Sequence, residues 1–179
     1  MNDDLVVAVT GQRALHDVAA ARAGAAAARD AILSAFPQRR VVLLSALAEG
    51  ADRVALEPWL PSASVTLVAL LPLPRAAYET EFDTEQSREE FARLLGRAHE
   101  VRVVSQDGAR EAAYAALATR IVSIADVIVA VWDGELPRGA CGTGRLVEQA
   151  RQRRLPLAWV RVGPAATRDI PVSLENFPR

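Results

Sequence analysis

Residues 126–134 read DVIVAVWDG. From Val127 to Trp132 every side chain is apolar, with no polar residue to face water. A strand with one wet face alternates apolar and polar residues. This one must be covered on both faces, as in a parallel sheet layered between helices. Asp133-Gly134 then ends the run with a turn signal. Runs of the same kind recur at LVVAVTG (5–11), RVVLLSALAEG (40–50), SVTLVALLP (64–72), EVRVVS (100–105) and LPLAWVRVG (155–163).

Between these runs lie helix-like stretches. Residues 16–36 are alanine-rich, carry Val18, Ala25, Ile32 and Phe36 near one face, and stop at Pro37. ADRVALEPWL follows the second run. Residues 75–98 are polar, with a stripe of Phe91, Leu94 and Leu95. Residues 108–125 carry Tyr114, Leu117, Ile121 and Ile124 as an inner face, and 144–154 make a last helix. The alternation predicts an α/β fold: a Rossmann-like, doubly wound, mainly parallel sheet of about six strands with helices on both faces. It reads as one domain over 1–179, with a core at about 5–163 and a tail, 164–179, without periodicity.

Composition narrows the function classes. Net charge is -1, and all 21 basic residues are arginine. With no lysine, Schiff-base chemistry and the lysine-bearing phosphate loop are excluded. With no basic excess, nucleic acid is an unfavoured partner. One cysteine, Cys141, rules out a disulfide framework and reads as a small loop residue. His16 and His99 are far apart, so no metal is expected, and Glu89-Glu90 reads as a solvated helix face. The acidic start and the lack of a long apolar run predict a cytoplasmic protein without a membrane partner.

In a doubly wound sheet, ligands bind beyond the carboxyl ends of the strands. Four loops there carry suitable chemistry. Gly11-Gln12-Arg13 offers close backbone approach and a guanidinium. Ser45 to Arg53 offers a hydroxyl, Glu49, and the free N–H groups expected at a helix start on Gly50, Ala51 and Asp52. Asp52 there fits helix capping equally well. After the third strand come Pro72, Arg75, Tyr78, Glu79 and Phe82, and the ring pair Tyr78/Phe82 suits either a base or the protein's own core. Last come Asp133, Gly134, Gly139 and Gly142-Thr143-Gly144, a glycine-rich passage into a helix that suits a phosphate.

TGQR, LLSALAEGADRVALE, LPLPRAAYETEF, EEFARLLGRA and ADVIVAVWDGELPRGACGTGRLVEQAR, in this order and spacing, resemble the SLOG superfamily. That group holds the DprA DNA-processing proteins, the LOG nucleotide hydrolases and the ligand-sensing domains of TRPM channels. The resemblance covers residues 5 to about 163. It implies a domain that binds nucleotides or nucleotide-derived ligands, similar to sensors in bacterial signalling and immunity, that forms homo-oligomers and requires no cofactor. Relatives carry GHR where this chain has Gly11-Gln12-Arg13, and GGT where it has Cys141-Gly142-Thr143.

Aligned on the hydrolases' PGGxGTxxE motif, the chain has Leu146 at the glutamate, Arg138 at the proline, and Leu117 near the catalytic arginine. Glu148 and Arg120 are displaced; two residues turn a helical side chain by about 200°. The resemblance therefore implies binding without that hydrolysis. Phosphates are expected at Gly50-Ala51-Asp52 and at Gly142-Thr143-Gly144, charge from Arg13, ribose contacts from Asp133 or Glu49, and Tyr78 beside the base. The alternatives are a nucleotide N-glycosidic or phosphoribosyl hydrolase using Glu49, Asp133 or Glu148, and a DprA-like single-stranded DNA module.

Overall fold

The apolar run at 126–134 forms a central strand, flanked on both sides by other parallel strands. A computed structural model of the chain describes residues 4–106, 109–135, 142–163 and 172–178. The elements are β1 (Asp4–Gly11), α1 (Val18–Ala35), β2 (Arg40–Ser45), α2 (Ala51–Leu56), β3 (Val65–Leu71), α3 (Arg75–Glu79), α4 (Glu85–Leu95), β4 (Glu100–Val103), α5 (Arg110–Ile124), β5 (Val127–Trp132), α6 (Thr143–Gln152), β6 (Leu157–Arg161) and β7 (Val172–Glu175). The strands form one sheet in the order β4-β3-β2-β1-β5-β6-β7, parallel except for β7. This is the Rossmann-like α/β architecture, with one strand more than the apolar runs predict.

Alternate residues of each strand enter two separate cores. Leu5, Val7 and Val9 of β1 join the face covered by α1 to α4, whereas Ala8 joins the face covered by α5 and α6. α1 is capped by Asp17, whose carboxylate accepts the Ala20 N–H at 2.8 Å, a contact worth about 1 kcal/mol. Its buried stripe of Ala21, Ala25, Ala28 and Ile32 has small side chains and lies on β5 and β6. Under α3 and α4, Tyr78, Phe82 and Phe91 pack as a three-ring cluster with centroids 4.9–5.6 Å apart. Such pairs contribute about 0.5–1.5 kcal/mol beyond their area.

β7 lies in the tail that has no periodicity. It pairs antiparallel with β6, placing Ser173 opposite Trp159. Two further contacts hold it: Arg151 grips Glu175 with Nε and Nη2 at 2.9 and 2.7 Å, and Phe177 packs on Phe36 at 6.0 Å. No described helix is long and apolar enough to cross a membrane.

The strand order reverses between β1 and β5. β1 leads through α1 to β2 on one side, whereas α5 returns the chain across the other face to β5. The carboxyl ends of β1 and β5 lie side by side, with Gly11 opposite Val131. A crevice opens where connections depart to opposite faces.

Candidate functional site at the strand-order reversal

A cavity of about 340 Å³ opens at this point, within the size range of small-molecule sites. Four segments wall it: the end of β1 (Thr10 to Arg13), one face of α5 (Tyr114, Leu117, Ala118, Ile121), the end of β5 (Trp132, Asp133, Glu135) and the start of α6 (Gly142, Thr143, Gly144, Leu146). Asp52, Ala46 and Ala48 complete it from the second strand's loop.

The β1 wall is held by backbone fit. A Cβ on Gly11 would lie 2.3 Å from the Ala51 Cβ and 2.5 Å from the Val131 carbonyl oxygen. Gln12 then ties three loops together. Its N–H donates to Val131 O at 3.1 Å and its carbonyl accepts the Ala51 N–H at 3.0 Å. Its side-chain Oε1 accepts the Asp133 N–H at 2.9 Å, while Nε2 donates to Ala14 O at 2.7 Å. Gln12 is thus a brace across the crevice between β1 and β5.

Asp52 is buried, 4% exposed, and accepts the Gly11 N–H on Oδ1 at 2.9 Å. Burial pushes its carboxyl up to about 7, against the pull of the Gly11 and Ala48 N–H groups, Arg53 and the Ser45 hydroxyl. Ser45 is itself buried and its Oγ accepts the Leu47 N–H at 3.0 Å. Arg53 is 5% exposed, stacks over Phe82 at 5.0 Å, and donates to Leu47 O, Ser87 and Glu90. Glu90 therefore does more than cover a solvated face: at 2.7 Å it pairs a buried guanidinium.

Arg13 reaches the rim. Its Nη2 contacts Glu81 at 3.1 Å and the Tyr114 hydroxyl at 3.4 Å. Glu81 also takes Arg110 Nε at 3.0 Å and the Tyr114 O–H. Burial, reinforced by Glu81, pushes the Tyr114 phenol up to about 12, so it stays protonated and donates to Glu81.

On the far side, Asp133 Oδ1 accepts the Glu135 N–H at 2.9 Å. Gly134 has φ +92°, and its backbone lies against the Trp159 ring, which a Cβ would approach to 3.1 Å. α6 starts on Gly142, at φ +106°, with no side-chain cap. Among the described residues its first-turn N–H groups have no side-chain partner, and they lie beside the cavity. Leu117, Ile121, Trp132 and Leu146 make the remaining wall apolar.

Several expected site residues lie elsewhere. The start of α2 is no open anion site: Gln12 O takes the Ala51 N–H, and a Cβ on Gly50 would lie 1.9 Å from Arg13 O. Gly50, at φ +80°, and Ala51 are therefore packed under the β1 loop, away from the cavity lining. Tyr78 is fully buried in the aromatic cluster and is no base-stacking group. Ser45, Glu49 and Pro72 do not line the cavity; the Pro72 carbonyl accepts the Ser105 N–H. Glu148 is exposed, pairs with Arg145 at 2.8 Å, and is likewise off the lining. Gly139 and Cys141 lie outside the described residues.

Gly11, Gln12, Arg13, Asp52, Asp133, Gly142, Thr143 and Gly144 do come together. So do Leu117 and Leu146, the positions that the resemblance gives to the hydrolases' arginine and glutamate. Tyr114, Ile121 and Trp132 are additions. Their apolar pattern is that of a core; the crossing of α5 at the order reversal brings Tyr114 and Ile121 over the crevice, and Trp132 reaches it from the end of β5. Among the described residues no group of three His, Cys, Asp or Glu side chains could hold a metal ion. No family model and no curated protein matches the chain.

Proposed function

We propose that the cavity between β1 and β5 binds a nucleotide or nucleotide-derived ligand, and holds it without cleaving it. The carrying observation is the pairing of an uncapped helix start with an apolar wall across one cavity of about 340 Å³. The N–H groups of Thr143 and Gly144 suit a phosphate. Leu117, Ile121 and Trp132 suit the flat apolar face of a base, in place of Tyr78. Asp133 suits ribose hydroxyls, and Arg13 adds charge at the rim. The absence of a carboxylate at Leu146 and of a guanidinium at Leu117 favours holding over cleavage, because both leucines occupy the wall itself. In this proposal the chain is a SLOG-type ligand sensor of the cytoplasm, working as a homo-oligomer.

Thermal stability tests it, with AMP, ADP-ribose, NAD, cyclic nucleotides and short single-stranded DNA as probes. A ligand at 100 times its Kd adds about 2.7 kcal/mol, or roughly 5–11 °C for a domain this size. No shift with any nucleotide refutes the proposal. A shift with DNA alone that collapses in salt supports a DNA module instead. Time-dependent release of a free base from an incubated nucleotide refutes the holding role.

A further inference from the structure

Glu81 lies behind the cavity rim, on the connection between α3 and α4, with its side chain only 7% exposed. One carboxylate there serves three partners from two segments: Arg13 from the β1 loop, and Arg110 and Tyr114 from the first turns of α5. Arg13 and Tyr114 line the cavity; Glu81 and Arg110 do not. Arg13 is also the one cation lining the cavity among the described residues, and the chain has no lysine to add another. Asp52 and Asp133 stand in the same walls. The rim therefore offers two guanidiniums already sharing one carboxylate, facing walls that carry acids.

We propose that Glu81 limits the cavity to ligands with at most one phosphate group, by holding the charge of Arg13 and Arg110 behind the rim. This inference rests on the nucleotide-binding proposal and specifies its ligand class. One phosphate is served by the N–H groups at the start of α6. Each further phosphate adds about one negative charge, and among the described lining residues Arg13, already shared with Glu81, is the one cation to meet it; desolvating an unmatched charge is unfavourable. Tyr114 gives no relief, because its proton is committed to Glu81. Removing the Glu81 charge releases both arginines toward the ligand. Removing Arg110 instead leaves Glu81 to Arg13 alone and makes the rim neutral.

The test is calorimetric titration of wild type, Glu81→Gln and Arg110→Gln with the 5′-mono-, di- and triphosphates of adenosine and guanosine, at fixed ionic strength without divalent cations. One unit charge about 8 Å away across a partly solvated rim changes affinity about five-fold. Wild type is expected to bind monophosphate at least as tightly as diphosphate, and triphosphate most weakly. Glu81→Gln raises the diphosphate-to-monophosphate affinity ratio about five-fold, and Arg110→Gln lowers it. A purely structural loss lowers all three affinities together and leaves the ratios unchanged. Arg110 is mostly exposed, so its variant keeps the test decisive if Glu81→Gln fails to fold. Unchanged ratios in a variant that still binds, or tightest binding of triphosphate by wild type, overturn the inference and leave the binding proposal standing. No binding of any probe by folded wild type overturns both.

Discussion

Replacing Gln12 by alanine tests the brace across the crevice. The variant loses the Oε1 contact to the Asp133 N–H and the Nε2 contact to Ala14 O. The second is exposed and contributes about 0.5 kcal/mol; the first contributes about 1 kcal/mol. The Asp133 N–H, part-buried, is then stranded at a further cost of about 1 kcal/mol. The total is about 2–3 kcal/mol, or roughly 5–10 °C in Tm for a chain of this length. Gln12→Glu keeps an acceptor for Asp133, but loses the exposed donor and sets a carboxylate oxygen against Ala14 O, so its cost is about 1 kcal/mol. The assay is urea unfolding, with the midpoint falling and the slope m unchanged. A loss under about 0.5 kcal/mol for the alanine variant, or equal losses for the two variants, refutes the brace.

The Asp52 carboxyl, raised from 3.8 to about 7 by burial, predicts a pH dependence. The folded state holds a proton that the unfolded chain releases above about pH 4, so this group's contribution is full below that and declines as pH rises through about 7. The decline is at most about 4 kcal/mol. Asp52→Asn keeps an oxygen for the Gly11 N–H, so its stability, read from urea unfolding midpoints, should vary less between about pH 5 and pH 8 than that of wild type; a parallel profile would sink the argument. Gly50→Ala places a Cβ against the Arg13 carbonyl at a backbone with φ +80°. Destabilisation of about 3 kcal/mol or more is expected; a loss under about 1 kcal/mol in the same urea assay would show that the β1 loop yields easily.

The parallel sheet was legible because its signal is local: six successive apolar residues in β5 admit few other placements. β7 was not, because a four-residue edge strand is defined by its pairing with β6 and by Phe36, far away in sequence. The glycines and acids of the candidate site were legible as strand-end residues. Which of them face the cavity depended on long-range contacts. A carbonyl 39 positions upstream fills the start of α2, and nothing local to EGADR announces it. Tyr78 and Phe82 follow helical spacing that is identical for a core pair and a ligand-stacking pair; the Phe91 ring of α4 decides between them. The helical spacing of Tyr114 and Leu117 marks only an inner face; their second role comes from where α5 crosses the sheet.

Trp132 lines the cavity, and its ring lies 5.6 Å from that of Trp159, with the planes 35° apart. The Trp159 indole N–H donates to Trp132 O at 3.0 Å, and Arg161 and Arg151 lie over its ring. The third tryptophan, Trp59, is sealed in the opposite core. The molecule thus carries its own optical gauge: two coupled indoles at the cavity and one silent reference. Anything that enters beside Trp132 alters their shared emission and circular dichroism while Trp59 stays constant, so occupancy can be followed without a label.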